Sequence, residues 1–370
     1  MSIDLKEVIS QFDFQGELKD YRRHGNGHIN ETYALDYVNE DGTFHQYILQ
    51  KVNNNVFKEV DLLMENVLNV TSFLRKKIIE ANGDPERETM NVIKTKDGKS
   101  YLKDDDGYFR AYVFVSDSMF FDAVDSPEMF KKSGIAFGKF QKLLSDYPAE
   151  TLNETIPNFH NTKSRYADFI KAVEDNLSGR KDTCLDEIEF VKARKAKTEK
   201  LVDMIEKGEL PLRVTHNDTK LNNVLFDAIT KDCVCVIDLD TVMPGLALYD
   251  FGDSIRFGAN TACEDEKDLS KVSIDLDYFK AYADGFLGQA GESLTQNEID
   301  NLAYASMLMT LECGMRFLTD YLNGDTYFGT AYPEHNLVRA KDQFKLVADM
   351  EAHMDEMNKI IAEVAASYRK

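Results

Sequence analysis

A histidine, an aspartate, a lysine and an asparagine crowd into the stretch His216-Asn217-Asp218-Thr219-Lys220-Leu221-Asn222-Asn223. Asp218 lies two residues after His216, Lys220 two residues after Asp218, and Asn223 five after it. Twenty residues past Asp218, the apolar run Val234-Cys235-Val236-Ile237 ends in Asp238. Carboxylate and amide oxygens are hard ligands that suit Mg²⁺ carrying nucleotide phosphates. An ammonium neutralises charge on a transferring phosphoryl group, and a second carboxylate accepts the proton of an attacking hydroxyl. The expected roles are therefore Asp218 as base, Lys220 as charge neutraliser, and Asn223 and Asp238 as metal ligands. Any one Asp or Asn here would ordinarily be a turn residue. The combination at these offsets is what points to phosphoryl transfer.

Local structure must bring such groups together. Residues 223–227 and 233–238 are β-prone runs around the polar turn Ile229-Thr230-Lys231-Asp232. Paired symmetrically, they form an antiparallel hairpin with Asn223 opposite Asp238. The tripeptide Asp250-Phe251-Gly252 matches a protein-kinase metal motif, but it lies 32 residues past Asp218 and outside that hairpin. The metal role therefore goes to Asp238, and Asp250 and Asp253 are expected to brace the catalytic loop or cap the segment that follows. Upstream, Arg23-His24-Gly25-Asn26-Gly27-His28-Ile29-Asn30 joins two strand-like segments. Gly25 and Gly27 would let backbone N–H groups approach phosphate oxygens, although a lone Gly-x-Gly is usually just a turn.

The chain around these motifs changes character once. Tyr33–Tyr37 and Gln46–Val52 read as strands, and Val60, Leu63, Val67, Val70 and Leu74 mark a helix. Thr95–Lys99 and Asp104–Gly107 carry Asp-Gly turn signals with strands expected on both sides. From residue 119 the pattern is mainly helical. It opens at the Ser126-Pro127 cap, is interrupted by the β island at 222–240, and ends in one long helix bearing Val347, Met350, Met354, Met357, Ile361 and Val364. The expected fold is α+β and bilobal. A small β-rich lobe covers 1–115, with a joint near 112–118, and a larger helical lobe covers 119–370.

Composition narrows the partners. A net charge of −21 over 370 residues repels phosphate backbones, so nucleic acid is not an expected partner. No apolar run of membrane-spanning length occurs, and the opening Met-Ser-Ile-Asp-Leu-Lys-Glu lacks a secretory signal, so a cytoplasmic protein without a membrane partner is expected. The five cysteines show no zinc-ligand spacing and read as reduced core thiols. The C-terminal apolar stripe reads as packing on its own domain, hence a monomer rather than a dimer.

The segment 216–223, the strand end Ile237-Asp238-Leu239-Asp240 and Leu248-Tyr249-Asp250 resemble the aminoglycoside phosphotransferase and choline kinase-like superfamily. More narrowly, the chain resembles the N-acetylhexosamine 1-kinases. Gly25–Asn30, Tyr47–Gln50, Leu212–Asn223, Asp250–Gly258, Glu312–Leu318 and Tyr332–Arg339 carry that likeness along nearly the whole chain. The resemblance implies a bilobal, protein-kinase-like fold binding ATP with Mg²⁺ and transferring the γ-phosphate to the anomeric hydroxyl of an N-acetylhexosamine. It implies Asp218 as base and Asn223 and Asp238 as metal ligands. It makes Arg316 and Tyr327 candidate sugar contacts, against the plainer readings of a helix-face ion pair and core packing. Gly25, Gly27 and His28 in the loop, Gln50 on the strand, and Tyr112 and Val113 at the joint are the expected nucleotide contacts.

One position departs from the usual kinase pattern. Where many kinases carry a strand Lys or Arg for the nucleotide phosphates, this chain has Gln50, and the adjacent Lys51 must face the other side of the strand. Lys220 and the metal are the expected substitutes. Three other functions compete: the same transfer to choline, homoserine or an aminoglycoside; nucleotide binding without catalysis; and hydrolysis with Asp218 activating water. Retention of Asp218, Asn223 and Asp238 argues against the second.

Overall fold

The computed structural model describes residues 5–25 and 30–368. Gly27 and His28 of the expected phosphate-covering loop lie outside them. The chain runs α1 (Leu5–Ser10), β1 (Glu17–Arg23), β2 (Glu31–Val38), β3 (Phe44–Val52), α2 (Val60–Glu80), β4 (Val92–Ile93), β5 (Leu102–Asp104), β6 (Gly107–Val113) and β7 (Ser118–Met119). It continues α3 (Pro127–Leu143), α4 (Thr162–Asp175), α5 (Leu185–Lys192), α6 (Lys195–Glu206), β8 (Arg213–Thr215), β9 (Val224–Asp227), β10 (Cys233–Val236) and β11 (Met243–Gly245). Then follow α7 (Ala247–Gly258), α8 (Leu276–Ala290), α9 (Gln296–Asp300), α10 (Leu302–Asn323), α11 (His335–Ala352) and α12 (Met354–Tyr368). This is the mixed α+β architecture, strands first and helices after, that the composition change predicts. Two compact units result: residues 1–120 with 146–156 and 224–243, and residues 121–145 with 157–223 and 244–370.

The first unit is built on an antiparallel sheet in the order β1-β2-β3-β6-β4, with β5 also paired to β6. Strand alternation divides β3 between two environments. Tyr47 and Leu49 point, with Phe109 and Ala111 of β6, into a core closed by Val8, Ile9 and Phe12. Gln50 and its cross-strand partners Thr32 and Arg110 belong to the opposite face. The β5–β6 turn forms as expected, with the Asp104 carboxylate accepting from the N–H groups of Asp106 and Gly107. Thr95–Lys99 is also a tight turn, closed by Thr95 N to Lys99 O at 2.8 Å. It does not join two paired strands, because β4 and β5 both pair with β6.

The β9–β10 hairpin forms, but a bulge between Cys233 and Cys235 resets its register. The last pair is Val224 with Val236, so Asn223 and Asp238 leave the ladder one and two residues beyond it, not opposite each other.

In the second unit, Ser126 caps α3 by accepting from Met129 N, and Phe130, Phe137 and Phe140 are buried. Helices α3 and α8 approach at glycines: a Cβ on Gly285 would lie 2.2 Å from the Lys131 carbonyl oxygen. Gly252 does the same for α7 against α10, where a Cβ would meet Ala305 O at 2.6 Å. The Asp-Phe-Gly tripeptide is thus part of a helix, and its glycine serves packing.

The C-terminal stripe is carried by two helices instead of one. At the break, His353 leaves the helical backbone (φ −103°, ψ 11°), and its Nδ1 lies 2.9 Å from the Asp349 carbonyl that its own N–H also bonds at 3.1 Å. Met350, Met357, Ile361 and Val364 are nonetheless buried. Strands β8 and β11 were not expected, since three residues are too few to display alternation. Among the described residues no helix is long and apolar enough to cross a membrane. The five cysteines are free thiols; Cys263 is exposed, unlike the core thiols anticipated for all five.

Candidate active site

The catalytic loop follows β8 in the second unit. Asn217 adopts a left-handed backbone (φ 65°), which turns the chain sharply between His216 and Asp218. His216 is fully buried, with Phe137 and Phe140 packed edge-on against its ring. Its Nδ1 receives the Asp218 backbone N–H at 3.3 Å. Two side chains then hold the Asp218 carboxylate: Lys220 Nζ at 3.0 Å from Oδ1 and Asn223 Nδ2 at 3.2 Å from Oδ2. Asn223 Nδ2 also donates to the Asp218 carbonyl at 2.8 Å, so the amide nitrogen is committed and the oxygen end is turned away from Asp218. The Asp218 charge raises the pKa of Lys220, which stays protonated.

Helix α7 braces this loop from beneath. Buried Asp250 accepts from His216 N at 2.9 Å, Asn217 N at 2.8 Å and Gln141 Nε2 at 2.8 Å. Burial pushes its carboxyl above the ordinary value. Asp253 accepts from Thr219 N at 3.2 Å and from Arg256 Nε at 2.9 Å. Burial opposes its ionisation, but Arg256 and Lys220 hold its carboxyl below the ordinary value. Both aspartates thus act as the loop braces that the sequence suggested.

In the first unit, Asp238 has a left-handed backbone (φ 61°) and starts a short 3₁₀ turn, Leu239–Thr241. Two residues on, Asp240 is buried and paired with Arg110 Nη1 at 2.5 Å. Asn30 Nδ2 donates to its other oxygen at 2.7 Å. Arg110 Nε and Nη2 also donate to Gln50 Oε1 at 3.1 and 2.9 Å, and Gln50 Nε2 donates to Thr32 Oγ1 at 3.1 Å. Burial would lower the Arg110 pKa; Asp240, with Tyr112 and Asp238, carries it above the ordinary value instead. Tyr112 is buried with the Arg110 guanidinium over its ring, and Val113 N bonds Asn91 O. Gly25 has a left-handed backbone (φ 70°). Lys51 lies over Phe109 on the other face of β3, as strand alternation requires.

A pocket of about 540 Å³ opens in the second unit beside α4 and α10. Arg165, Arg316, Tyr327 and Phe328 are among the residues lining it. The Arg316 guanidinium lies 5.4 Å from the Phe159 ring, 5.8 Å from Tyr327 and 5.5 Å from Phe328. Tyr327 is 65% exposed, so it is a wall residue and not core packing. Asp320 fixes the loop that carries it, accepting from the N–H groups of Thr326, Tyr327 and Phe328 and from Asn336. Burial pushes the thiol of Cys313, one turn before Arg316 on α10, up to about 12 against the opposing charge of Arg256, which itself pairs with the Asp253 brace.

A family model described as phosphotransferase enzyme family matches residues 20–285. The chain belongs to that family. It is a phosphotransferase acting on hydroxyl acceptors. Its fold is shared with an aminoglycoside phosphotransferase from Alicyclobacillus acidocaldarius (TM-score 0.63, 13% identity, 98% of each chain covered). It is also shared with a choline kinase from Cryptosporidium parvum (TM-score 0.54, 14% identity, 94% of this chain and 93% of that one). An amicoumacin kinase solved with AMP-PNP and Ca²⁺ matches at TM-score 0.55 and 11% identity, over 97% of this chain and 92% of that one.

Among the described residues of this phosphotransferase, no group of three or more His, Cys, Asp or Glu could hold a metal ion by itself. The expected donors are one carboxylate, Asp238, and one amide, Asn223, whose nitrogen is already spent on Asp218. A carboxylate and an amide oxygen are each donor types that Mg²⁺ accepts. Sequence reasoning overlooked Arg110 and Asn30 as partners of Asp240. Only the polar Arg110 in the run Phe109–Val115 could have flagged them.

Proposed function

We propose that this phosphotransferase moves the γ-phosphate of ATP to the anomeric C1 hydroxyl of an N-acetylhexosamine, N-acetylglucosamine or N-acetylgalactosamine. The motif blocks spread along the chain support this reading. The observation that carries it is the chemistry around Arg316. Its guanidinium already occupies the faces of Phe159, Tyr327 and Phe328, the place where a quaternary ammonium acceptor would have to bind. Arg165 adds a second cation; of the pocket's carboxylates, Asp320 is taken up by backbone amides, Asp175 pairs with Lys171, and Asp168 faces the charge of Arg165. Such walls disfavour choline or a polycationic acceptor. They suit a neutral ring with an acetamido carbonyl and hydroxyls to accept from arginine, and aromatic faces to cover its apolar side.

In this reading Asp218 accepts the proton of the C1 hydroxyl. Lys220 keeps it oriented, and the His216 ring and α7 fix the loop. Asn223 and Asp238 would hold Mg²⁺, which when bound neutralises phosphate charge. Gly25, Gly27, His28, Gln50, Tyr112 and Val113 would contact the nucleotide. The test is to incubate the enzyme with ATP, Mg²⁺ and each of N-acetylglucosamine, N-acetylgalactosamine, choline and homoserine, and to identify products by ³¹P and ¹H NMR. The expected result is an N-acetylhexosamine 1-phosphate and no phosphocholine. A phosphorylated amino alcohol without sugar phosphate would overturn the acceptor. ADP and free phosphate alone would favour hydrolysis.

A further inference from the structure

In kinase-type sites a cation on the third strand pairs with an acid on the following helix, and the pair orders the nucleotide site. This chain has Gln50 on β3, and the helix residue beside Arg110 is Met64, whose sulfur lies 3.9 Å from Nη1. Neither half of the usual pair is present at these positions. One strand over, directly across from Gln50, is Arg110. Its side chain is 1% exposed and its carboxylate partner Asp240 3% exposed, so the pair is sealed from solvent. We propose that Arg110 takes over the ordering role of the absent strand-3 cation, acting as a positioning residue that holds Asp240 and through it the metal-ligand segment at Asp238.

The segment is held at two points. Arg110 and Asn30 grip the two oxygens of Asp240, and Asn30 is itself held by Asn53 N, which donates to its Oδ1 at 3.0 Å. Two residues further, the Val242 carbonyl accepts from Asn66 Nδ2 of α2 at 3.0 Å. Asp238 sits immediately before this clamped turn with a left-handed backbone, a conformation that aspartate tolerates better than most residues and that the clamp holds in place. Removing the guanidinium would leave a sealed carboxylate without its cation. Asp240 would then swing out, and the turn carrying Asp238 would move with it. Gln50 fits the same account. It accepts both remaining Arg110 donors, whereas a lysine there would set two cations side by side.

The proposal rests on reading Asp238 as a metal ligand, so the test separates the two. ATP affinity is measured by calorimetry across a Mg²⁺ titration, with melting temperature in parallel, for Asp238→Asn, Arg110→Lys, Arg110→Gln, and Gln50→Lys with and without Arg110→Gln. Arg110→Lys keeps the charge but loses the forked contacts, and is expected to raise the Mg²⁺ concentration for half-maximal ATP binding about tenfold, the usual cost of losing a group that orients a metal ligand. Arg110→Gln should raise it further, and adding Gln50→Lys should recover most of that loss by restoring a cation to the row. A purely structural role would lower the melting temperature of Arg110→Lys and leave its Mg²⁺ requirement at the wild-type value, which would reject the proposal even if Arg110→Gln fails to fold. If Asp238→Asn raises the requirement and Arg110→Lys does not, Arg110 alone is misassigned. If Asp238→Asn leaves it unchanged, the metal reading fails and the proposal falls with it.

Discussion

The catalytic loop and the Asp238–Val242 turn are both irregular segments with a left-handed residue, and both are anchored by buried aspartates, but by different means. Asp250 holds the loop through backbone N–H groups of His216 and Asn217. Asp240 holds its turn through side chains, a guanidinium and an amide. A backbone anchor is indifferent to which side chains the loop displays. A side-chain ion pair depends on one partner, and breaking it costs about 3–5 kcal/mol because the other charge stays buried. The path of the loop that carries the proposed base is therefore set through its backbone, with His216, Lys220 and Asn223 fixing Asp218 itself, whereas the turn after Asp238 is set through the side chains of Arg110 and Asn30.

The largest expected effect separates chemistry from anchoring. Asp218→Asn keeps shape and one oxygen, so ATP affinity should remain while kcat falls by about 10²–10⁴-fold, the usual worth of a general base. Calorimetry and steady-state rates check this, and a variant with full kcat would remove Asp218 from the mechanism. Next comes the backbone anchor. Asp250→Ala orphans three buried donors and should cost about 3 kcal/mol or more in denaturant melts. A loss below 1 kcal/mol would show that the loop is held by something else. Lysines rank third. Lys220→Ala should lower kcat well beyond Lys51→Ala, since Lys220 touches Asp218 and Lys51 covers Phe109 on the other strand face. Lys51→Ala should stay within about 0.5 kcal/mol of wild-type stability; a larger rate loss from Lys51→Ala would invert the face assignment.

A third buried carboxylate serves as the control for both anchors. Asp342 accepts only from Asn260 and Gln343 side chains, and burial raises its pKa from 3.8 to about 7. Because the folded value lies above the unfolded one, its contribution to stability is complete below pH 3.8 and is lost as pH rises through about 7. Melting temperature should decline over that window, and Asp342→Asn should flatten the slope. An unchanged slope in the variant would place the titration elsewhere.

The catalytic loop could be read because its parts lie within a few residues of one another, and strand and helix periodicity located the strands around Gln50 and the apolar face of α2. The Arg110–Asp240–Asn30 grip could not. Asn30 and Asp240 are 210 residues apart, and nothing local in either tells that they meet. Register failed for a related reason: a bulge between Cys233 and Cys235 has no composition signal in an apolar run. The break at His353 is one residue leaving the helical backbone within a helical pattern that continues on both sides.

Asp320 gathers three consecutive amide groups of the loop bearing Tyr327, and it belongs to the same helix as Arg316. The loop from Gly324 to Tyr332 is thus moored by its backbone at Asp320, and tied again by Asp325 to Arg180 and Asn336 and by the Gly329 carbonyl to Arg339. In a laboratory evolution campaign it would behave as an exchangeable cassette. Libraries that randomise Tyr327 and Phe328 but keep Asp320 should yield mostly folded variants with altered acceptor choice, whereas libraries that include Asp320 should spend their diversity on unfolded chains.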